Sequence, residues 1–313
     1  MNLNQRIAYG EALVALGKEN PNVVALEADL GKSTMSCLFE QEFPGRFLEM
    51  GIAEANMAST AAGLAYVGKI PFIHSFAVFA SGRAYDQIRQ SVAIPNINVN
   101  ICGSSSGLSD FGDGSTHQAV EDIAIMQAIP NMTVLVPADA LEAGKMVKAA
   151  AETPGPTYLR ISRNDIPIVT KADEPFTVGK LDILRDGGDV VIFACGVMAA
   201  AALDAAKSLE GSGISARVVN VSTIKPLCPA TVIGLTRGMK AVVTVEEHSV
   251  IGGLGAAISR ALQGKVNLPV SYVGIQDSFG TSAYNYDELL VHYGLTEADI
   301  VRAVESIVGK THI

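Results

Sequence analysis

The chain has 313 residues, of which 49% are hydrophobic and only 6% aromatic, and its formal net charge is −9. This length allows two domains of ordinary size, and the acidic balance argues against nucleic acid as a partner. The sequence shows neither the core of a secretory signal nor an apolar run of membrane-spanning length. Four scattered cysteines without metal-ligand spacing indicate free thiols in a reducing compartment. We therefore expect a cytoplasmic protein with no membrane partner.

Apolar, strand-like runs alternate with helical patterns from one end of the chain to the other. In the first half, we predict helices over 4–17, 51–65, 83–93 and 139–152, and strands over 22–30, 47–51, 69–76, 96–104, 132–138 and 157–162. In the second half, we predict strands over 189–196, 216–223, 240–249 and 268–274, and helices over 198–210, 254–262 and 297–308. Continuous apolar strands between helices are typical of parallel sheets covered on both faces. The fold class is therefore α/β, with two consecutive α/β domains and mostly parallel sheets.

One predicted helix, residues 51–65 (GIAEANMASTAAGLA), is almost entirely small and apolar but carries a carboxylate, Glu54. Small and apolar residues recur there at helical spacing, at Ile52, Ala55, Ser59, Ala62 and Ala65. This spacing predicts the buried face of the helix. Glu54 in its first turn is either a favourable charge at a helix N-terminus or a desolvated carboxylate that shares a proton with a ligand nitrogen. The local sequence leaves both interpretations open.

Polar and aromatic side chains follow several of the predicted strands of the first domain. They include Asp29, the segment 74–79, the Gly/Ser/Asp-rich loop 104–117 and Arg163. Because ligands bind at the carboxyl ends of the strands in parallel α/β domains, we expect these residues and Glu54 to converge on one cleft.

A series of motifs then carries a family resemblance. They are EADLGKST (27–34), GIAEANM (51–57), HSFAVF (74–79), RAYDQIR (83–89), GDGSTHQ (112–118), SRN (162–164) and EEHSVIGGLG (246–255). In this order they resemble the second half of a transketolase over essentially the whole chain. The resemblance is to the C-terminal subunit of a split transketolase, whose first domain is a separate polypeptide.

The resemblance implies a pyrimidine-binding thiamine diphosphate domain over 1–165, a linker over 166–186 and a transketolase C-terminal domain over 187–313. A separate N-terminal subunit would carry the diphosphate-binding domain and supply the Mg²⁺ ligands, in an α2β2 assembly that acts on sugar phosphates. The GDG at 112–114 imitates the metal motif of that domain, but no Asn follows at the matching distance. The THQ after it assigns this GDG to the substrate loop, so no metal ligand is expected from this chain.

Four residues match positions that contact thiamine diphosphate in the family: Asp29, Glu54, Phe76 and Phe79. Glu54 matches the catalytic glutamate, which hydrogen-bonds the ring nitrogen N1′ and favours the imino tautomer; a carboxylate in a dry pocket suits this task. Phe76 and Phe79 match aromatic residues that stack on the aminopyrimidine, and Asp29 matches a carboxylate near the thiazolium. Without the resemblance, the phenylalanines would be strand-end core and Asp29 a strand-end cap.

Three further matches concern the phosphate group of the sugar: Arg6, Ser33 and Arg163. The planar guanidinium group of arginine meets phosphate oxygens in pairs, which suits this role. Each residue alone would more simply be a surface side chain, but three matched positions together indicate a phosphate site.

Asp113 and His117 match family residues that contact the hydroxyl groups of the sugar. The resemblance also gives His117 a catalytic role. Ser105 stands twelve residues before His117, where many transketolases have a histidine that bonds the donor. A serine can hydrogen-bond a substrate but cannot supply a cationic donor. Because Ser105 replaces this histidine, the resemblance does not imply the donor sugar that transketolases usually take.

Three functions are compatible with these residues. The first is the C-terminal subunit of a thiamine diphosphate-dependent transketolase, which transfers a two-carbon ketol unit between sugar phosphates. The second is a 1-deoxyxylulose-5-phosphate synthase-like or 2-oxo acid dehydrogenase β-like subunit, and the third is a non-catalytic partner of a thiamine enzyme. The matched phosphate and sugar residues favour the first over an oxo acid enzyme, and the buried acid Glu54 argues against a scaffold.

Overall fold

The computed structural model describes residues 1–309, and the last four residues of the predicted second domain, 310–313, lie outside the described residues. Within residues 1–309, no helix is both long enough and apolar enough to cross a membrane. Two of the free cysteines, Cys102 and Cys195, are buried, whereas Cys228 is exposed.

Strands and helices alternate along the described chain. The strands are β1 (Asn2–Asn4), β2 (Val23–Glu27), β3 (Phe47–Glu49), β4 (Ile70–Phe76), β5 (Asn100–Ser104), β6 (Thr133–Leu135), β7 (Thr157–Arg160), β8 (Asp165–Pro167), β9 (Asp182–Arg185), β10 (Val190–Ala194), β11 (Ala216–Asn220), β12 (Thr223–Lys225), β13 (Ala241–Ser249) and β14 (Val270–Ile275). The helices are α1 (Gln5–Glu19), α2 (Gly31–Thr34), α3 (Cys37–Glu42), α4 (Glu54–Tyr66), α5 (Ala77–Gly82), α6 (Tyr85–Gln87), α7 (Asp122–Ala128), α8 (Ala140–Glu152), α9 (Met198–Gly211), α10 (Pro229–Leu235), α11 (Leu254–Leu262), α12 (Tyr286–His292) and α13 (Glu297–Val308).

Two mostly parallel sheets form the centres of the fold. The first has the strand order β12-β6-β7-β5-β4-β2-β3, with only the β12–β6 pair antiparallel. The second has the order β14-β13-β10-β11-β9, with only the β11–β9 pair antiparallel. The predicted α/β class with two consecutive, mostly parallel domains is confirmed. Because β12 lies late in the chain but joins the edge of the first sheet, the two halves are interlocked.

Local side-chain caps explain where several helices begin. The side chain of Asn4 accepts a hydrogen bond from the backbone of Arg6 at the start of α1, and Asp139 caps α8 in the same way. Thr296 and Asp299 form a reciprocal capping box at the start of α13. Such caps satisfy backbone N–H groups that have no partner within the helix. The helices predicted at 139–152, 254–262 and 297–308 are confirmed.

Two details of the predicted helices are wrong. The segment predicted as one helix over 83–93 consists of the short helix α6 and a π-helical turn, Ile88–Ala93. The buried apolar residues of α4 are Met57, Ala58, Ala61 and Ala62. Of the five positions predicted for the buried face, Ala62 alone is buried, and Ile52 is 73% exposed and precedes the helix. Because small residues occupy most sides of this helix, their spacing did not identify the side that packs on β4.

A small antiparallel ladder joins the beginning of the chain to the end of the first sheet. Strands β1 and β8 pair with Asn4 opposite Asp165. The side chain of Asn4 also donates to the carbonyl of Arg163 and to the carboxylate of Asp165, both at 2.9 Å. This ladder brings Arg6 and Arg163 to the same place although they are far apart in sequence.

A buried ion pair connects the two halves of the molecule. Nε of Arg160 donates to both carboxylate oxygens of Asp122, at 3.1 and 2.9 Å, and Nη2 donates to the carbonyls of Ala119 and Glu247. Burial opposes the charge of Arg160, but Asp122 and Glu247 hold its pKa above the ordinary value. The guanidinium is therefore compensated from both domains, and removal of one partner would leave a buried charge unpaired.

We expect Asp122→Ala to lower the free energy of unfolding by about 3–5 kcal/mol, the range observed when one partner of a buried pair is removed. Chemical denaturation followed by circular dichroism measures this loss. Asp186→Ala is the matched control because it removes an exposed carboxylate that pairs with Arg217, and it should leave the denaturation midpoint almost unchanged. Equal midpoint shifts in the two variants would contradict the structural role given to Arg160.

Candidate active site

Aromatic side chains form a compact wall at the carboxyl end of β4. The rings of Phe76 and Phe79 are nearly parallel, with their centres 6.0 Å apart and an interplanar angle of 17°. The ring of His117 meets both edge-on, with its centre 6.1 Å from that of Phe76 and 5.3 Å from that of Phe79. The Nδ1 atom of His117 is hydrogen-bonded to the hydroxyl of Thr116 at 2.9 Å. The predicted cofactor-binding phenylalanines and the predicted catalytic histidine are thus in contact.

Glu54 is the first residue of α4 and is only 4% exposed. Its Oε1 atom accepts a hydrogen bond from Nη1 of Arg83 at 2.8 Å, and the guanidinium carbon of Arg83 lies 4.0 Å from the centre of the Phe79 ring. Within residues 1–309, no hydrogen bond to Oε2 is found. Arg83 thus orients the carboxylate beside the aromatic wall and leaves one oxygen available to a ligand.

These residues fit the pyrimidine end of thiamine diphosphate. A flat heterocycle can pack on a phenylalanine face, and a nearly buried carboxylate oxygen without a partner in the described part of the chain is a suitable acceptor for a ring N–H. Asp29 lies farther out: it is exposed, has a φ of 61°, and its backbone N–H donates to Glu49. Its proposed contact with the thiazolium remains a prediction.

Two arginines lie together near the β1–β8 ladder. Nη1 of Arg6 donates to the carbonyl of Ser33 at 2.7 Å, and Nη1 of Arg163 donates to Oδ2 of Asp110 at 2.7 Å. Nε of Arg6 is buried and has no hydrogen-bond partner among the described residues. Burial and the neighbouring charge of Arg163 lower the pKa of Arg6. An anion with several oxygens would supply the missing acceptor.

This arginine pair opens onto a cavity of about 410 Å³. Its lining includes Asn4, Arg6, Arg163, Asp165, Tyr286 and Asp287. Tyr286 and Asp287 come from α12, so the C-terminal half of the chain contributes to the site.

The remaining predicted sugar-binding residues lie on the loop that follows β5. Ser105 is fully buried, adopts a φ of 52°, and its hydroxyl has no hydrogen-bond partner within the described range 1–309. A serine in the left-handed region costs conformational energy, which is consistent with a constrained loop. Asp113 is exposed and His117 is partly buried on the same loop. By contrast, His74 is fully buried between Tyr9 and the carbonyl of Leu26, and burial lowers its pKa to about 4, so it is a structural residue.

Glu27 supports the segment that carries Asp29 and Ser33. Its carboxylate accepts hydrogen bonds from the hydroxyls of Thr34 and Ser36 and from the backbone N–H groups of Ala28 and Leu30. Burial nevertheless raises the pKa of Glu27 to about 7. Glu27 therefore holds α2 next to Arg6 without contacting the cavity itself.

Three residues of this arrangement were not predicted as site residues. Arg83 lies within the RAYDQIR motif, but nothing in that motif indicates a role for this side chain. Glu27 lies inside the predicted strand 22–30 and ends the observed strand β2. Asp110 belongs to the predicted substrate loop, and its charge next to the GDG was the only signal. The structure pairs Arg83 with Glu54 and Asp110 with Arg163.

Comparison with known proteins places this geometry in a family. Residues 2–168 match the family model "Transketolase, pyrimidine binding domain", and residues 179–300 match "Transketolase, C-terminal domain". A protein from Methanocaldococcus jannaschii that is described as a transketolase C-terminal section is 44% identical over 96% of this chain and 94% of its own length. A 6-deoxy-6-sulfo-D-fructose transketolase subunit from Clostridium sp. (strain MSTE9) is 42% identical over 97% of this chain and 94% of its own length.

The solved structures include a close neighbour. The "Split gene transketolase, inactive beta4 tetramer" is 47% identical, has a TM-score of 0.89, and is matched over 99% of both chains.

We expect Glu27→Gln to remove a pH dependence of stability. Between pH 4.5 and about 7 the folded protein holds a proton on Glu27 that the unfolded chain has already lost, so this contribution to stability falls as pH rises. The variant should therefore gain up to about 3 kcal/mol relative to the wild type between pH 4.5 and 8. Urea denaturation at several pH values measures the difference, because the other titrating groups are common to both proteins.

Glu11→Gln is the matched control, since Glu11 is exposed on α1. Its stability should follow the wild-type pH profile. A Glu27→Gln profile parallel to that of the wild type would show that Glu27 is ionised in the folded state throughout this range.

Proposed function

This chain belongs to the transketolase family, and we propose that it is the C-terminal subunit of a split, thiamine diphosphate-dependent transketolase. It would transfer a two-carbon ketol unit between sugars together with a separate N-terminal subunit. The observation that carries this proposal is the nearly buried carboxylate of Glu54, oriented by Arg83 beside the wall of Phe76, Phe79 and His117.

Each part of the site receives a task in this proposal. When bound, thiamine diphosphate supplies the reactive ring carbon on which ketol transfer depends. Oε2 of Glu54 would share a proton with the ring nitrogen N1′, and the two phenylalanines would hold the ring and exclude water. His117 and Asp113 would hydrogen-bond the sugar hydroxyls, and Ser105 the donor oxygen that a histidine contacts in many relatives.

In this proposal, Arg6 and Arg163 bind the charged terminal group of the donor sugar. Arg6 and Arg163 lie at a cavity of about 410 Å³ with a buried guanidinium nitrogen that lacks an acceptor in the described chain. Both a phosphate and a sulfonate group present oxygens to such donors. A phosphate is the expectation from the family as a whole, and the name of the Clostridium relative raises a sulfonate as the second candidate.

We also propose that the active assembly is α2β2 and that the N-terminal subunit supplies the Mg²⁺ ligands. Across residues 1–309, no cluster of three or more His, Cys, Asp or Glu side chains that could hold a metal ion is present. The 47% identical neighbour is described as an inactive β4 tetramer, which supports the need for a second kind of subunit.

The substitution Glu54→Gln tests the proposed function. An amide of the same size can hydrogen-bond the cofactor but cannot share a proton with N1′, so kcat of the assembled enzyme should fall by about 10²–10⁴-fold. Assembly and thermal stability should be nearly unchanged. Steady-state ketol transfer measured with the N-terminal subunit present gives kcat, and light scattering verifies assembly.

The matched control is Glu297→Gln, because Glu297 is also the first residue of a helix but is exposed. If Glu54 were only a helix-terminal charge, both variants would show a small loss of stability and normal turnover. That result would remove the catalytic role of Glu54.

A further inference from the structure

Carboxylates surround the two arginines of the proposed donor site. Asp165 and Asp287 line the cavity with Arg6 and Arg163, and Asp110 pairs directly with Arg163. Two positive charges are thus opposed by three negative ones, those of Asp110, Asp165 and Asp287. Such a balance is unexpected for a site built only to attract a doubly charged group.

We propose that Asp110 is a specificity-determining residue that offsets the charge of Arg163, so that the site selects a donor with a singly charged terminal group, of the sulfonate class, over a doubly charged phosphate. This inference rests on the proposed function, because it presumes that the arginine pair receives the far end of a ketose donor.

Asp110 offsets the positive charge of Arg163 but occupies only one of its hydrogen-bond donor atoms. Its side chain is only 3% exposed and accepts a hydrogen bond from Nη1 of Arg163, whose side chain is 36% exposed. Among the described residues, Nε and Nη2 of Arg163 make no hydrogen bond. Arg163 can therefore still donate to an oxygen of the terminal group while its positive charge is balanced from behind.

Arg6 provides the second hydrogen-bond donor to the terminal group, and nearby carboxylates offset its charge as well. Its Nε is buried and lacks an acceptor within residues 1–309, and its charge interacts favourably with Asp110 and Asp165. A terminal oxygen would satisfy this N–H group, whose burial without a partner is costly. The site thus keeps directional donors for a tetrahedral oxyanion but has little net positive charge.

Other charged groups near the pair do not reverse this balance. Asp113 and His117, on the loop of Asp110, interact with Asp110 with opposite signs. Lys32 is exposed beside Ser33 on α2, and Asp165 and Asp287 are exposed as well, so solvent screens all three charges. The nearly buried carboxylate of Asp110 therefore has the largest effect on the charge of Arg163.

The charge of the ligand then decides the preference. A phosphate monoester carries about −1.5 to −2 charges at pH 7, whereas a sulfonate keeps a single charge. Both are tetrahedral and present three oxygens, so hydrogen bonding to Arg6 and Arg163 is similar. In surroundings with an excess of carboxylates, the second negative charge is repelled, which favours the sulfonate.

The test compares three donors with one carbon skeleton: fructose, fructose 6-phosphate and 6-deoxy-6-sulfofructose. We expect the wild-type complex with the N-terminal subunit to show a higher kcat/KM for the sulfonate than for the phosphate. In Asp110→Asn, the ratio of phosphate to sulfonate kcat/KM should rise by about tenfold or more, because one nearby charge is removed. The kcat/KM for uncharged fructose should not follow this change.

Asp186→Asn is the matched control: it neutralises an aspartate that bonds Arg217 at the same donor–acceptor distance of 2.7 Å, in the second domain. It should leave all three donors unaffected. If Asp110→Asn fails to assemble, Asp165→Asn removes an exposed carboxylate from the same cavity. It should shift the ratio in the same direction.

A wild-type preference for the phosphate, or a ratio that no Asp→Asn change at the cavity alters, would overturn this inference. Equal kcat/KM values for fructose 6-phosphate and 6-deoxy-6-sulfofructose, with transfer from fructose still observed, would also overturn it. That result would leave the proposed function intact. Absence of transfer from all three donors would overturn both.

Discussion

Arg160 is a buried charge on which both domains and the loop after β5 depend. It ends β7 in the first sheet, yet it is compensated by Asp122 of the first domain and by Glu247 of the second. Its bond to the carbonyl of Ala119 holds the residue that pairs with Gly107 and closes the base of the loop. Glu247 in turn accepts hydrogen bonds from the backbone N–H of Leu108 and the hydroxyl of Tyr286. The C-terminal domain therefore helps to shape a site whose predicted residues all belong to the first domain.

Two physically different kinds of ion pair matter for the fold and for the site. Asp122 and Arg160 are both buried, so neither can change partner without a large cost. At the site, by contrast, nearly buried carboxylates pair with partly exposed guanidinium groups, with side-chain exposures of 5% and 51% for Glu54 and Arg83. Removing the guanidinium would leave a nearly buried carboxylate unpaired, which is costly. The exposed side of each guanidinium can nevertheless donate to a ligand while the pair stays in place.

The architecture was predictable because it follows from periodicity. Apolar runs such as 190–194 between helical patterns require a parallel sheet covered on both faces. Once the strands are parallel, their carboxyl ends share one edge, which brings Phe76, Ser105 and Arg163 to one side of the sheet. The family motifs then indicated functional roles for these residues, which periodicity alone does not predict.

The pairing of charges was not predictable from the sequence. Glu54 and Arg83 are 29 residues apart, and Asp110 and Arg163 are 53 residues apart. A contact at such separation depends on how the intervening loops close, and no local pattern records it. The same holds for the buried face of α4, where small residues on several sides made the spacing ambiguous.

We propose that this chain forms only the pyrimidine half of a divided cofactor site. Calorimetric titration of thiamine diphosphate with Mg²⁺ into the chain, alone and together with a transketolase N-terminal subunit, tests it most directly. We expect sub-micromolar binding only when both subunits are present, because the diphosphate and its metal need ligands that this chain is not expected to supply. Sub-micromolar binding to the chain alone would contradict it.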